Sequence, residues 1–237
     1  MLANLQSSTQ AKTLEKDDSL GWLGIIRLGL VQTCIGAVVV MTTSTLNRIM
    51  VVELSLPALI PGLLVALHYL VQIIRPRMGY ASDQGRAKTP WILGGMAVLG
   101  IGGIGASLGT ALLGTYFGLG LLVSVLSFVM IGVGVSIGGT SLLALLAKSV
   151  NDQKRAAAAT IVWIMMIFGF AMTSVVIGKF IDPYTPIKVI SIAAVVSVIA
   201  MIVSYLALYR LEEQANAFTA REDLIRKKSL AFKEAFK

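Results

Sequence analysis

Six long apolar stretches constrain this chain more than any other feature. They run from Leu28 to Leu46, Pro57 to Ile74, Trp91 to Leu113, Leu119 to Ala147, Ala156 to Val176 and Ile187 to Tyr209, and none carries Asp, Glu, Lys or Arg in its middle. About 20 apolar residues, each rising about 1.5 Å along a helix, cross a hydrocarbon layer roughly 30 Å thick. Within that layer a spanning segment has to satisfy its own backbone polar groups, which leaves helices or a closed barrel. Uninterrupted apolar runs of this length fit helices, because barrel strands are shorter and alternate in polarity. The expected fold is therefore all-α and integral to a membrane, with six transmembrane helices over residues 20–209. A polar N-terminal tail (residues 1–19) precedes them and a polar segment (210–237) follows.

The composition agrees. Of the 237 residues 56% are hydrophobic and only 14% charged, against about 25% charged in soluble domains. A net charge of +8 raises the question of nucleic acid. The basic residues lie between apolar runs rather than on one face, however, so no nucleic-acid partner is expected. The first 19 residues mix acids with lysines and lack a short apolar core before a cleavage site, so no secretory signal peptide is read there. Cys34, the only cysteine, lies in an apolar run as a small buried hydrophobe.

Charge placement orients the spans. If the N-terminus is placed inside, all of the 20 Lys and Arg residues fall on the cytoplasmic side except Arg48, Lys179 and Lys188, which is the positive-inside pattern. Both termini are then cytoplasmic. Asp17-Asp18-Ser19 offers a cap for a helix beginning at Leu20. Asn47, Arg48 and Glu53 mark the far interface, Arg75-Pro76-Arg77 breaks the second span, and Lys148 to Arg155 reads as a polar loop. Lys179 and Asp182-Pro183 close the fifth span. Leu211, Ala215, Phe218, Ile225, Phe232 and Phe236 recur at helical spacing in the final segment. They predict an amphipathic cytoplasmic helix on the inner leaflet or on the ends of the spans; a solvated charged tail is the plainer alternative.

Two G-x-x-x-G pairs, Gly105 with Gly109 and Gly134 with Gly138, sit in the third and fourth spans. Small residues there let helix backbones approach closely, so these glycines are assigned to helix packing. An ionisable group in mid-membrane costs roughly 3 kcal/mol or more and is usually kept for function, and no Asp, Glu, Lys or Arg is placed there. The interior instead offers Gln32, Thr33, Thr42, Thr43, Ser44, Thr45, His68 and Gln72, which suits an apolar or lipid-like cargo better than a sugar or an ion. His68 is the one titratable side chain in a span. It has no second ligand nearby in sequence and cannot build a conventional metal site. Two roles stay open for it, a hydrogen-bonded structural histidine or the single axial ligand of a metal already held in a macrocycle.

The loop Gly79-Tyr-Ala-Ser-Asp83-Gln-Gly85-Arg86-Ala-Lys88 resembles the signature between the second and third helices of the major facilitator superfamily, G-x-x-x-D-R-x-G-R-R/K. Gly79 and Asp83 match in spacing and Gly85-Arg86 comes one residue early. Longer strings resemble the PucC/LhaA family, the bacteriochlorophyll-delivery family. They are Arg27-Leu-Gly-Leu-Val-Gln32, Thr42-Thr-Ser-Thr-Leu-Asn-Arg-Ile-Met-Val-Val-Glu53, Val65-Ala-Leu-His-Tyr-Leu70, Arg75-Pro-Arg-Met-Gly79 and Thr89-Pro-Trp-Ile-Leu-Gly-Gly-Met96.

That resemblance implies a major-facilitator-like N-terminal half made of two inverted three-helix repeats. It also implies a non-enzymatic assembly factor for photosynthetic light-harvesting complexes, in the bacterial inner (photosynthetic, intracytoplasmic) membrane. Its cofactor would be bacteriochlorophyll. Its candidate pigment-binding residues would be His68, Gln72 and Gln32, with His68 as axial ligand to the pigment magnesium. Its partners would be light-harvesting α and β polypeptides or a reaction-centre antenna complex, membrane lipids, and a second six-span half. The competing functions are half of a facilitator-type transporter for an apolar solute and a permanent subunit of a photosynthetic complex.

Overall fold

The structure is a computed structural model and describes residues 20–77, 79 and 87–217. Six helices in it are long and apolar enough to cross a membrane: α1 (Trp22–Glu53), α2 (Leu59–Arg77), α3 (Thr89–Leu113), α4 (Phe117–Ser149), α5 (Asp152–Ile181) and α6, whose regular part is Pro186–Leu208. Beyond Tyr209 and Arg210 the chain turns helical again over residues 211–217 (α7). No strand occurs among the described residues. The fold is all-α with six spans, as the apolar runs predict.

The helix ends correct several boundaries. α1 starts at Trp22, preceded by an extended Gly21 that makes no side-chain cap; the proposed cap at Asp17 to Ser19 lies outside the described residues. Leu20 is not helical. It is buried, and its N–H donates to the Ser149 carbonyl at 3.0 Å. At its other end α1 continues past Leu46 to Glu53 by widening into π-helix over Met41–Thr45 and again over Ile49–Glu53. Hydroxyls accompany the first widening: Thr42 donates to the carbonyls of Val38 (3.1 Å) and Val39 (2.9 Å), and Thr43 to that of Val39 (2.8 Å). Side-chain donors on carbonyls of the preceding turn loosen the regular ladder in this way.

The expected break at Arg75-Pro76-Arg77 does not occur. Helix persists to Arg77, tightening to 3₁₀ over Gln72–Ile74, where the missing N–H of Pro76 leaves the ladder incomplete. Between α4 and α5 only Val150 and Asn151 are non-helical, so most of the polar stretch read as a loop is helix. Asn151 accepts from the Gln153 N–H at 3.3 Å, and the Asp152–Arg155 pair at 2.7 Å reinforces that first turn.

α3 and α4 form the closest pair. Next come α1 with α5, α3 with α6, α1 with α6, and α2 with α4, while α1 touches α4 across the middle. Exchanging α1 with α4, α2 with α5 and α3 with α6 carries α1/α5 into α4/α2 and α3/α4 into α6/α1, and returns α3/α6 and α1/α4 unchanged. The two triplets thus share one pattern of neighbours, though the α3/α4 contact is far more extensive than its α1/α6 counterpart, and because three is odd they run in opposite senses, as inverted repeats do. α2 and α5 occupy the ends of the chain of contacts α2–α4–α3–α6–α1–α5. Only 17% of the most apolar window of each is buried, against 56% in α1 and α3.

The apolar interior has two parts. One joins Val38, Met41, Ile49, Leu99, Phe128, Ile131 and Ile177. The other gathers Ile25, Leu28, Ile92, Leu142, Leu145 and Val162 with Leu208, Leu211 and Ala215. Leu211 and Ala215, expected on the apolar face of the terminal segment, therefore pack on the ends of the spans. Phe218, Ile225, Phe232 and Phe236 lie outside the described residues.

Candidate functional site

α2 places His68, Gln72 and Arg75 four and three residues apart, on one helical face. His68 is 1% exposed. Its Nε2 lies 2.8 Å from Nε2 of Gln72, and Arg75 Nη2 donates to Gln72 Oε1. The imidazole meets the Tyr69 ring edge-on, centroids 4.8 Å apart. Its Nδ1 is buried with no hydrogen-bond partner. α4 comes closest to α2 at this level: a Cβ on Gly132 would sit 2.8 Å from the His68 carbonyl oxygen. A polar ladder thus runs from the buried imidazole to the exposed, basic end of α2.

Gln32 is elsewhere. It is buried on α1, with Nε2 on the Met166 sulfur of α5 at 3.1 Å and Oε1 without a partner. Next to it the Thr33 hydroxyl bonds the carbonyls of Gly29 and Met165, both at 2.9 Å. The structure therefore brings His68 and Gln72 together and leaves Gln32 in the α1/α5 interface, the counterpart of the α2/α4 interface under the helix exchange.

Among the described residues no three His, Cys, Asp or Glu side chains gather to hold a metal ion. The chemistry fits a single axial ligand, since a neutral imidazole supplies one lone pair. Nε2 faces the Gln72 amide at 2.8 Å, so a metal approaching that nitrogen would have to displace Gln72.

The facilitator-like loop is seen only at its edges. Gly79 faces α4, where a Cβ would lie 3.2 Å from Thr140 Cγ2, and Asp83, Gly85 and Arg86 lie outside the described residues. Lys88 is buried. Its N–H donates to Glu212 Oε1, and the N–H of Thr89 donates to Glu212 Oε2 at 2.9 Å. A carboxylate accepting from these two N–H groups caps the start of α3 and offsets its positive dipole end. Arg27 makes the complementary cap at the end of α6, donating to the carbonyls of Ala207 at 2.9 Å and Tyr209 at 2.6 Å. Leu93, Tyr205, Leu208, Arg210 and Glu213 line a cavity of about 380 Å³ beside Glu212.

Both G-x-x-x-G pairs lie in the α3/α4 seam. A Cβ on Gly105 would meet Ser127 Oγ at 2.5 Å, one on Gly109 the Ser124 nitrogen at 2.8 Å, and one on Gly134 the Leu99 nitrogen at 2.5 Å; one on Gly138 would make only ordinary contact, 3.5 Å from the Ile92 carbonyl oxygen.

Sequence reasoning missed Glu212, Arg27 and Arg75 as partners. Arg75 had a usable signal, its three-residue spacing from Gln72, which the expected break at Pro76 hid. Glu212 is 124 residues from Lys88, and no local pattern announces it.

Comparison with known proteins adds the lineage. The chain matches the family described as PUCC protein over residues 45–236. It is 53% identical over 198 residues to the protein named bacteriochlorophyll synthase 44.5 kDa chain of Rhodobacter capsulatus, covering 84% of this chain and 46% of that one. It is 28% identical over 223 residues to Protein PucC of Cereibacter sphaeroides, covering 87% and 48%. A further Protein PucC, from Rhodobacter capsulatus, is 27% identical over 225 residues, covering 90% and 48%. The chain spans about half the length of the curated relatives it matches, and no solved structure matches it. With six apolar spanning helices and a family match over most of its length, this integral membrane chain belongs to the PUCC protein family.

Proposed function

We propose that this chain is a non-enzymatic membrane assembly factor for photosynthetic light-harvesting complexes. It binds or hands on bacteriochlorophyll and contacts antenna polypeptides through its apolar helix faces. The observation that carries the reading is the family match, with relatives named PucC and bacteriochlorophyll synthase chain. Two features of the chain support it. Among the described residues no Asp, Glu, Lys or Arg lies at the middle of a span, which suits an apolar cargo. The one imidazole within a span has a nitrogen able to act as an axial ligand. His68 is the ligand in this reading, Gln72 the side chain that guards it, and Gln32 a second polar contact at the equivalent interface. Both termini are cytoplasmic, with the basic end of the bundle inward.

The test is an absorption spectrum of the detergent-purified protein from a pigment-making host, beside His68→Leu. A near-infrared band lost in the variant is the expected result. A band that survives returns His68 to structure, and a colourless protein that never co-purifies with antenna chains removes the reading. The inverted packing of the two triplets favours a second reading, half of a facilitator-type transporter for an apolar solute. There Asp83→Asn would abolish uptake into vesicles holding the chain and a second six-span half. Stoichiometric retention in a mature complex would instead mark a permanent subunit.

A further inference from the structure

We propose that Arg75, acting through Gln72, fixes which ring nitrogen of His68 carries the proton. A guanidinium has only donors, so the group of Gln72 that faces Arg75 has to be its carbonyl oxygen. The amide plane then turns the NH₂ of Gln72 toward His68, 2.8 Å from its Nε2. A donor on Nε2 requires that nitrogen to accept, so the proton of the neutral ring sits on Nδ1. Nδ1–H gains nothing in return, because it is buried without a partner, and the choice of tautomer therefore rests on the Gln72 side alone. Ordinarily the hydrogen bond made by one ring nitrogen sets the state of the other. Here the setting residue is Arg75, seven positions away, and the amide relays its preference.

The consequence deepens the pigment reading and rests on it. Nδ1–H leaves a lone pair on Nε2, the form an axial ligand needs, and Gln72 covers that lone pair until displaced. Arg75 is thus a positioning residue. It holds His68 in the ligand-competent tautomer while its partner Gln72 keeps the nitrogen closed.

The chain contains one histidine, so nitrogen-15 NMR of the full-length, histidine-labelled protein in lipid vesicles at neutral pH reads His68 without assignment. The Nδ1–H form should exceed the other by about tenfold or more, the equivalent of about 1.4 kcal/mol. Arg75→Met frees the amide to rotate and should bring the ratio toward unity, whereas Arg75→Lys, which keeps a donor, should preserve it. Gln72→Glu, which can only accept, should invert it. A wild-type ring with its proton on Nε2, or a ratio unmoved in Arg75→Met, overturns the proposal. Because the readout needs no pigment, the expected tautomer in a protein that binds none would sink the pigment reading and leave this one standing.

Discussion

Gly94 and Gly95 are neighbours in the sequence and should respond to alanine in opposite directions. A Cβ on Gly94 meets nothing within 4 Å. On Gly95 it would lie 2.6 Å from the Gly138 Cα and 2.9 Å from the Gly134 carbonyl oxygen, where ordinary contact begins at 3.4 Å. Both obstacles are backbone, so no rotamer relieves them and α3 must part from α4 by about 1 Å. A gap of 0.5–1 Å forfeits roughly a quarter to a half of each dispersion contact, and the seam also holds Gly102 against Ile131 and Gly109 against Ser124. Overpacking of this kind costs about 1–3 kcal/mol, while Gly→Ala in an open helical position returns about 0.5–1 kcal/mol. Gly95→Ala and Gly94→Ala should then differ by roughly 1.5–4 kcal/mol. At about 2–4 °C per kcal/mol for a chain of this size, the unfolding midpoints separate by roughly 3–16 °C, with wild type between them. Cys34, the single buried thiol, is a built-in reporter: a thiol-reactive dye in detergent brightens only as the bundle opens. Equal midpoints for the two variants, or a lower one for Gly94→Ala, would refute the backbone-contact account of the seam.

Two further outcomes follow from the bundle ends. Glu212→Gln leaves one acceptor for two N–H groups, at a cost of about 1–3 kcal/mol for the buried donor left over. Amide exchange at Lys88 and Thr89 should rise about tenfold or more, and unchanged exchange would show that the carboxylate does not hold the start of α3. At the other end, burial and then the nearby Glu53 carboxylate raise the phenol of Tyr184, in the α5–α6 connection, above its ordinary value of 10.0. The folded state then holds a proton that the unfolded chain releases, so stability falls as pH climbs past about 10. Glu53→Gln should lower the Tyr184 midpoint toward 10, read as the difference from Tyr184→Phe in alkaline absorbance titration. A higher midpoint would reverse the assigned sign.

The spans were legible because lipid forces polarity to the ends of helices, and charge segregation survives in sequence without any knowledge of packing. Their limits were less so. Asn47 and Arg48 look like an ending, yet just before them the hydroxyls of Thr42 and Thr43 bond the carbonyls behind them and the helix widens instead of stopping. Pro76 reads as a terminator, and a 3₁₀ turn absorbs it. Asn151 and Asp152 carried a start signal that a count of polar residues in Lys148 to Arg155 obscured. His68 and Gln72 could be paired from their spacing. The separation of Gln32 from them could not, since it depends on which helices touch.

The placement of charge along the six helices also has an electrical meaning. Among the described residues Asp, Glu, Lys and Arg keep to the helix ends, from Arg27 and Arg48 on α1 to Lys188 and Arg210 about α6. A membrane potential does work of about 2.3 kcal/mol per 100 mV on each elementary charge carried across it. Tilting or sliding these helices carries none through the hydrocarbon, so their rearrangements run at nearly the same free energy whether the membrane is energised or not.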